Sequence, residues 1–317
     1  MWLKNATVLR LVRLGQRIET LDSALSKQAF TPCGSSDFTA SGWVSTCADG
    51  SLAHVVGQQV LLTFCVEKKV LPGAVVKDAL AARAADVQAR QGYKVGRKQM
   101  KELKEEITRE LLPKAFATRS KTTVWIDSIN SLIVIDAHGP KVETIVGALF
   151  GSIDRLEATP LHCNLSPAAA MTDWLASDEA PAGFTVDQDA ELKDSREGKS
   201  TVKFANHRLE VADLGHHLAD GKRCTQLAMT WEDRVSFVLT SKLGLKKIKA
   251  LDVIRDEAKD DSDDAESRFN SDFVLMSGEL SKLVASLIGA LGGEKLVQSA
   301  QQQQQQQQEV EALQAAA

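Results

Sequence analysis

Aromatic side chains are scarce in this sequence: five Trp, ten Phe and one Tyr make up 5% of 317 residues. A stacking platform for unpaired bases needs several rings along one groove, so binding by stacking is not the first expectation. Cysteine is equally thin. Cys33, Cys47, Cys65, Cys163 and Cys224 are odd in number and form no CxxC pair, which argues against a disulfide framework and a structural zinc site. Among the other metal-ligand types, His138, His162, His207, His216 and His217 lack the spacing of a ligand set, and adjacent imidazoles do not easily share one ion. No metal or cofactor is expected. Gly-rich phosphate loops, HExxH and GxSxG are also missing. No apolar run approaches the ~18 residues of a membrane span. The opening "MWLKNATVLRLVRLGQR" interrupts its apolar residues with Lys and Arg, unlike a signal peptide, so a cytoplasmic location is expected.

What is present suits a folded chain with a sizeable core: 44% of residues are hydrophobic and 25% charged. The length allows two domains, or one body with a large insertion. Net charge is only −4, yet the charges are segregated. Lys68 to Lys121 holds fourteen Lys/Arg against six Asp/Glu, a local +8. Lys193 to Lys249 holds twelve against seven, a local +5. Asp252 to Asp272 reverses this, with nine acids and three bases, a local −6. Such segregation creates a field that the whole-chain charge conceals.

The pattern of elements is mixed. "TVLRLVR" reads as a strand and "TLDSALSKQAF" as a helix with Thr20 or Asp22 near its cap. "QQVLLTFCVEKKVLP" reads as a strand, and the period then turns helical from Gly73 to Leu112, broken by "QGYKVG". In "RKQMKELKEEITRELL", Met100, Leu103, Ile107 and Leu111 make one apolar stripe. Arg97, Lys101 and Lys104 fall on one flank of it; Glu102, Glu106 and Glu110 fall on the other. "SKTTVWIDSINSLIVIDA" reads as two strands around Asp127 to Asn130, followed by the helix "KVETIVGALFGSI". The pattern returns loosely in "CTQLAMTWEDRVSFVLTS" and "LGLKKIKAL". "FVLMSGELSKLVASLIGALGG" reads as a helix capped by Ser277 and ended by Gly292-Gly293, and a Gln-rich tail follows.

Two features compete for the function. "AFTPCGSS" places Cys33 between Pro and Gly, which suits either a structural turn or a thiol nucleophile served by a distant histidine. The basic segments suit duplex DNA bound through its backbone, a task that needs spread Lys/Arg and no catalytic constellation. No helix-turn-helix, zinc finger or RNP motif appears, so no sequence preference is expected. A scaffold whose basic face meets an acidic protein is the other alternative, with the acidic run from Asp252 to Glu266 as a self-docking or inhibitory element.

The blocks "MWLKN", "AFTPCGS…GWV", "LLPKAF" followed by "WID", and "FNSDFVLMSGEL" resemble, in order and separation, the RdgC family of bacterial recombination-associated proteins. The likeness spans about residues 1 to 293 and is weakest from about 140 to 225. It implies an α+β fold: a horseshoe-shaped protomer of mixed or antiparallel sheets with packed helices and a helical tip. Two protomers close into a ring-shaped homodimer with a positive inner surface. The ring would occupy double-stranded DNA without sequence preference, limit RecA recombinase filaments, act at replication forks and associate with the nucleoid. No catalysis, cofactor or membrane is implied. The expected organisation is a central domain of 1–72 plus 118–160, a helical tip at 73–117, a second domain at 161–293 and a Gln-rich tail at 294–317.

The family's protomer contact carries over to Phe116. Lying just past a helix that ends at Leu112-Pro113, Phe116 would either project from a loop as an anchor or be an ordinary core residue. The DNA candidates of first rank are Arg97, Lys98, Lys101, Lys104, Lys114, Arg119 and Lys121. "TVKFANHRL" stands where a more basic loop is expected, and it keeps only Lys203 and Arg208. Lys222, Arg223, Lys246, Lys247 and Lys249 complete the set. Regular strand alternation would put Lys246 and Lys247 on opposite faces.

Overall fold

The computed structural model describes residues 2–47, 50–194, 200–207, 209, 211–257 and 264–295. In chain order its elements begin with β1 Asn5–Arg13, α1 Leu21–Leu25, β2 Thr39–Val44, β3 Ala53–Val56, β4 Gln59–Val70, α2 Gly73–Gln91 and α3 Arg97–Leu111. They continue with β5 Phe116–Asp127, β6 Leu132–Ile135, α4 Pro140–Ser152, β7 Glu157–Pro160, α5 Pro167–Ser177 and β8 Phe184–Asp194. The last are β9 Thr201–Phe204, α6 Val211–Ala219, β10 Lys222–Trp231, β11 Val235–Thr240, β12 Gly244–Ala250, α7 Asp252–Glu257 and α8 Ala265–Ala290. The class is α+β with antiparallel strand pairing, as the sequence pattern indicates.

The chain forms two compact units. Unit 1 holds the described residues within Met1–Leu11, Asp127–His138 and Ala158–Ala317; unit 2 holds those within Val12–Ile126 and Gly139–Glu157.

In unit 1 the strand order is β6-β1-β12-β11-β10-β8-β9, with β7 also on β1. β11 shows why its residues choose a strand: Val235, Phe237 and Leu239 alternate inward, and the residues between them do not. Helix α5 packs on β10 and β11. Helix α8 buries Phe273, Met276, Leu280, Leu283, Val284 and Leu287 along one side. By length and composition α8 is the described helix long and apolar enough to cross a membrane, and that buried side is what its apolar residues serve here.

The expected cap at Ser277 is corrected. The cap lies thirteen residues earlier, at Asp264, which accepts from the Glu266 and Ser267 N–H groups. Ser277 is buried mid-helix and donates to the Val274 carbonyl, so a good capping residue was mistaken for a boundary. The helix end agrees with expectation: Gly292 and Gly293 take left-handed φ of 78° and 88°, and the Gly293 N–H returns to the Ile288 carbonyl.

Unit 2 centres on β2-β4-β5, with β3 pairing β4. Val60 to Cys65 of β4 are buried on both faces. Trp43 stacks edge-on against Phe64 at 5.0 Å and donates from its indole nitrogen to Ser152 at the end of α4. Thr20 is the N-cap residue of α1, though its side chain makes no capping bond; Asp22 accepts from the Leu52 and Ala53 N–H groups ahead of β3. Helices α2 and α3 pack as a hairpin whose seam is thin, since α2 buries only Val76 and α3 only Ile107.

Candidate nucleic-acid interface

The thin seam of the α2–α3 hairpin leaves most of α3 in water. Ile107 is buried, while Met100, Leu103 and Leu111 are half-buried, so the apolar stripe is the helix's inner side. One ion pair ties the two helices, Arg83 to Glu110 at 2.9 Å. Among the described residues, Arg97, Lys98, Lys101 and Lys104 are exposed and make no ion pair. The same holds for Lys114, in the 3-10 turn Leu112–Lys114 that ends α3, and for Lys121 on β5.

Phe116 does not project from a loop. It is the first residue of β5, and at 87% exposure it is not a core residue either. The first six residues of β5 are exposed on both faces, which sets this end of the strand apart from its buried continuation at Val124 to Asp127.

Arg119, three residues beyond Phe116, is differently placed. Its Nε donates to Glu67 of β4, and its guanidinium lies 5.3 Å from the centre of the Phe30 ring. Glu67 is a buried acid with a second donor, the Cys33 N–H at 2.7 Å. The hydrogen bond from Arg119, followed by that from Cys33, holds the Glu67 carboxyl below its ordinary value. Two residues along the strand, Lys69 donates to the Gly34 and Ser35 carbonyls. "AFTPCGSS" is therefore a turn pinned to β4 by two buried charges. Burial first, and then Glu67, raise the Cys33 thiol above its ordinary value, which runs against a nucleophile's need for thiolate. No two of the five cysteines are joined by a disulfide.

Sequence reasoning missed Glu67 and Lys69. The signal was present: two charges two apart in a strand share a face, and an apolar strand that carries them has a use for them.

Unit 1 treats its cations differently. Lys203 on β9 and Lys193 on β8 both reach Glu191, at 3.1 and 2.8 Å. With its side chain only 9% exposed, Glu191 also accepts from Thr225. Lys193, with Lys203 and Thr225 and against its burial, lowers the Glu191 carboxyl to about 2. Lys222, 12% exposed, lies 3.4 Å from Asp220. Arg223, Lys247 and Lys249 are exposed and Lys246 is half-exposed. Arg208 lies outside the described residues.

The expectation that Lys246 and Lys247 face apart is corrected. Both line one trough of about 230 Å3, with Lys203, Glu191, Asp189 and Gln226. Lys247 takes a left-handed φ of 51°, and the β11–β12 register slips between Ser236 and Val238. This is a bulge, which resets the alternation so that Leu245, Ile248 and Ala250 are the buried residues. Apolar spacing of three then two announced it.

Among the described residues no group of three or more His, Cys, Asp or Glu side chains could hold an ion. The acidic run from Asp252 to Glu266 lies partly outside the described residues.

The family model described as "Putative exonuclease, RdgC" matches residues 1–294. Relatives named Recombination-associated protein RdgC include those of Cupriavidus necator, Cupriavidus pinatubonensis and Herminiimonas arsenicoxydans, which are 50%, 48% and 46% identical over 297 residues. Each alignment covers 93% of this chain and 99% of the relative. The relatives' name is one of association with recombination and names no enzyme activity. With a family match from the first residue to Glu294 and nearly half of all positions shared with these relatives, the chain belongs to the RdgC family.

Proposed function

We propose that this chain is a sequence-independent double-stranded DNA-binding protein that works as a homodimer. In this reading two horseshoe-shaped protomers close into a ring on DNA, with Phe116 at one contact. DNA is met first by Arg97, Lys98, Lys101, Lys104, Lys114 and Lys121. It is met next by Lys203, Arg208, Lys222, Arg223, Lys246, Lys247 and Lys249. By occupying duplex the ring modulates RecA-dependent recombination and replication-fork repair, as a cytoplasmic, nucleoid-associated protein without catalysis or cofactor.

The observation that carries the reading is the run from Arg97 to Lys121. Arg119 apart, it combines exposed cations, which form no ion pair with an acid of the described residues, with one large apolar side chain in water. Lysines on a water-exposed helix suit phosphates, which require charge and no base-edge geometry. An exposed aromatic suits a small isologous contact that can open and close.

A salt titration on linear and closed circular duplex of one sequence tests it. Affinity is expected to fall with a slope near −0.9 per phosphate contacted. Retention on the circle after the linear form has dissociated is the expected mark of closure. Salt-insensitive binding would sink the DNA reading, and equal loss from both forms would sink the ring.

A further inference from the structure

We infer that Arg119, Glu67 and Phe30 form a clasp that positions the exposed start of β5, and that Arg119 is a positioning residue and not a phosphate contact. The inference rests on the proposed role of Phe116 as a protomer contact.

Three strands of observation meet at this point. Glu67 is an acid whose side chain is 5% exposed, and a buried carboxylate is tolerated only with its counter-charge and donors in place. Its donors are Arg119 Nε and the Cys33 N–H. The Arg119 charge is thus already engaged inside unit 2, unlike those of Arg97, Lys98, Lys101, Lys104, Lys114 and Lys121. Second, the guanidinium plane is also used by the Phe30 ring. Phe30 is itself held by its N–H to the Trp43 carbonyl at 2.8 Å, and by Gly42, where an added Cβ would lie 2.6 Å from the Phe30 backbone. Third, the Thr118 hydroxyl reaches the Lys68 carbonyl next to the Arg119–Glu67 pair. Residues 118 and 119 are therefore the first of β5 whose side chains are tied to β4, and Phe116 stands two residues beyond the last tie. Without the clasp, the exposed end of β5 keeps its pairing to β4 but loses the side-chain ties that hold it there.

The two roles for Arg119 make opposite predictions. If Arg119 were a phosphate contact restrained by Glu67, Glu67→Gln would free the guanidinium, tighten DNA binding and steepen the salt slope. As a clasp, Glu67→Gln leaves the slope unchanged and weakens self-association. Arg119→Lys separates charge from geometry: lysine keeps the charge but has neither the planar stack nor the Nε donor.

The experiment measures self-association by sedimentation, and the salt slope on linear duplex, for the full chain and for Glu67→Gln, Arg119→Gln, Arg119→Lys, Phe116→Ala and Lys101→Gln. For both Arg119 variants we expect self-association to weaken about tenfold or more, as for loss of an interface anchor, with the slope unchanged. Lys101→Gln should lower the slope by about 0.9. Near-normal self-association in Arg119→Lys, or a slope about 0.9 shallower in Arg119→Gln, overturns the inference. Failure of the underlying reading looks different, because Phe116→Ala would then associate normally. Arg119 is 55% exposed and glutamine at 67 can still accept from Cys33, so both sites tolerate substitution; thermal melts matching the parent chain confirm it.

Discussion

The two basic regions of this chain carry similar sequence signals and use them in different ways. On α3, and at Lys114 and Lys121 beyond it in unit 2, cations stand exposed without acid partners among the described residues, Arg119 being the exception. On β8, β9 and β10 in unit 1, lysines converge on Glu191 and Asp220. A helix that buries a single residue can scatter its charges into solvent. Glu191 gathers Lys203 from directly across the β8–β9 ladder and Lys193 from two residues along its own strand face, while Asp220 meets Lys222 across the turn that leads into β10. Counted charge and available charge are therefore different quantities.

Reversing charge in each region tests that difference most strongly. Lys101→Glu with Lys104→Glu is expected to weaken linear duplex binding about fiftyfold or more near 0.1 M salt, for all sequences alike, with the salt slope shallower by about 2. Lys246→Glu with Lys247→Glu should cost about tenfold, because their trough also holds Asp189 and Glu191. Equal losses in the two pairs would break the comparison.

Removing the acid sharpens it from the other side. Glu191→Gln releases Lys193 and Lys203, so DNA affinity should rise several-fold with a slope steeper by about 1. An unchanged affinity would mean that this sheet face does not meet DNA. The same variant has a pH signature. The folded carboxyl lies at about 2, below its ordinary 4.5, so its contribution to stability is complete above 4.5 and lost as pH falls toward 2. Urea midpoints should show the parent's advantage over Glu191→Gln at pH 7 shrinking across that window. An advantage that stays constant would contradict the charge pairing.

The smallest effect concerns the bulge. Lys247→Val is expected to destabilise by about 1 to 2 kcal/mol in urea unfolding, because a β-branched residue resists the left-handed φ of 51°. Lys247→Gly should match or exceed the parent. If valine is tolerated as well as glycine, the bulge does not hold the two lysines together.

Much of the fold was legible in advance where a pattern is local. The apolar stripe of α3 and the alternation of β11 are one-dimensional records of which side is buried. The start of α8 was misread because Ser277 is chemically a good cap, and only the continuation of backbone hydrogen bonding shows that it is not used as one. The faces of Lys246 and Lys247 were misjudged because alternation assumes an unbroken ladder, which the bulge interrupts. Pro32 and Gly34 mark the Cys33 stretch as a turn, but what pins that turn is Glu67, an acid thirty-four residues away that holds the Cys33 N–H.

By itself, the sequence determined what depends on composition and near neighbours: the α+β class, the helix and strand periods, the two basic segments and the family. Tertiary structure alone decided which charges are spent internally. Whether Arg119, Lys203 or Lys222 is free depends on Glu67, Glu191 and Asp220 coming within hydrogen-bond or ion-pair reach. An ion pair acts over a few ångströms, and for Glu67 and Arg119 folding closes fifty-two residues of separation to reach it.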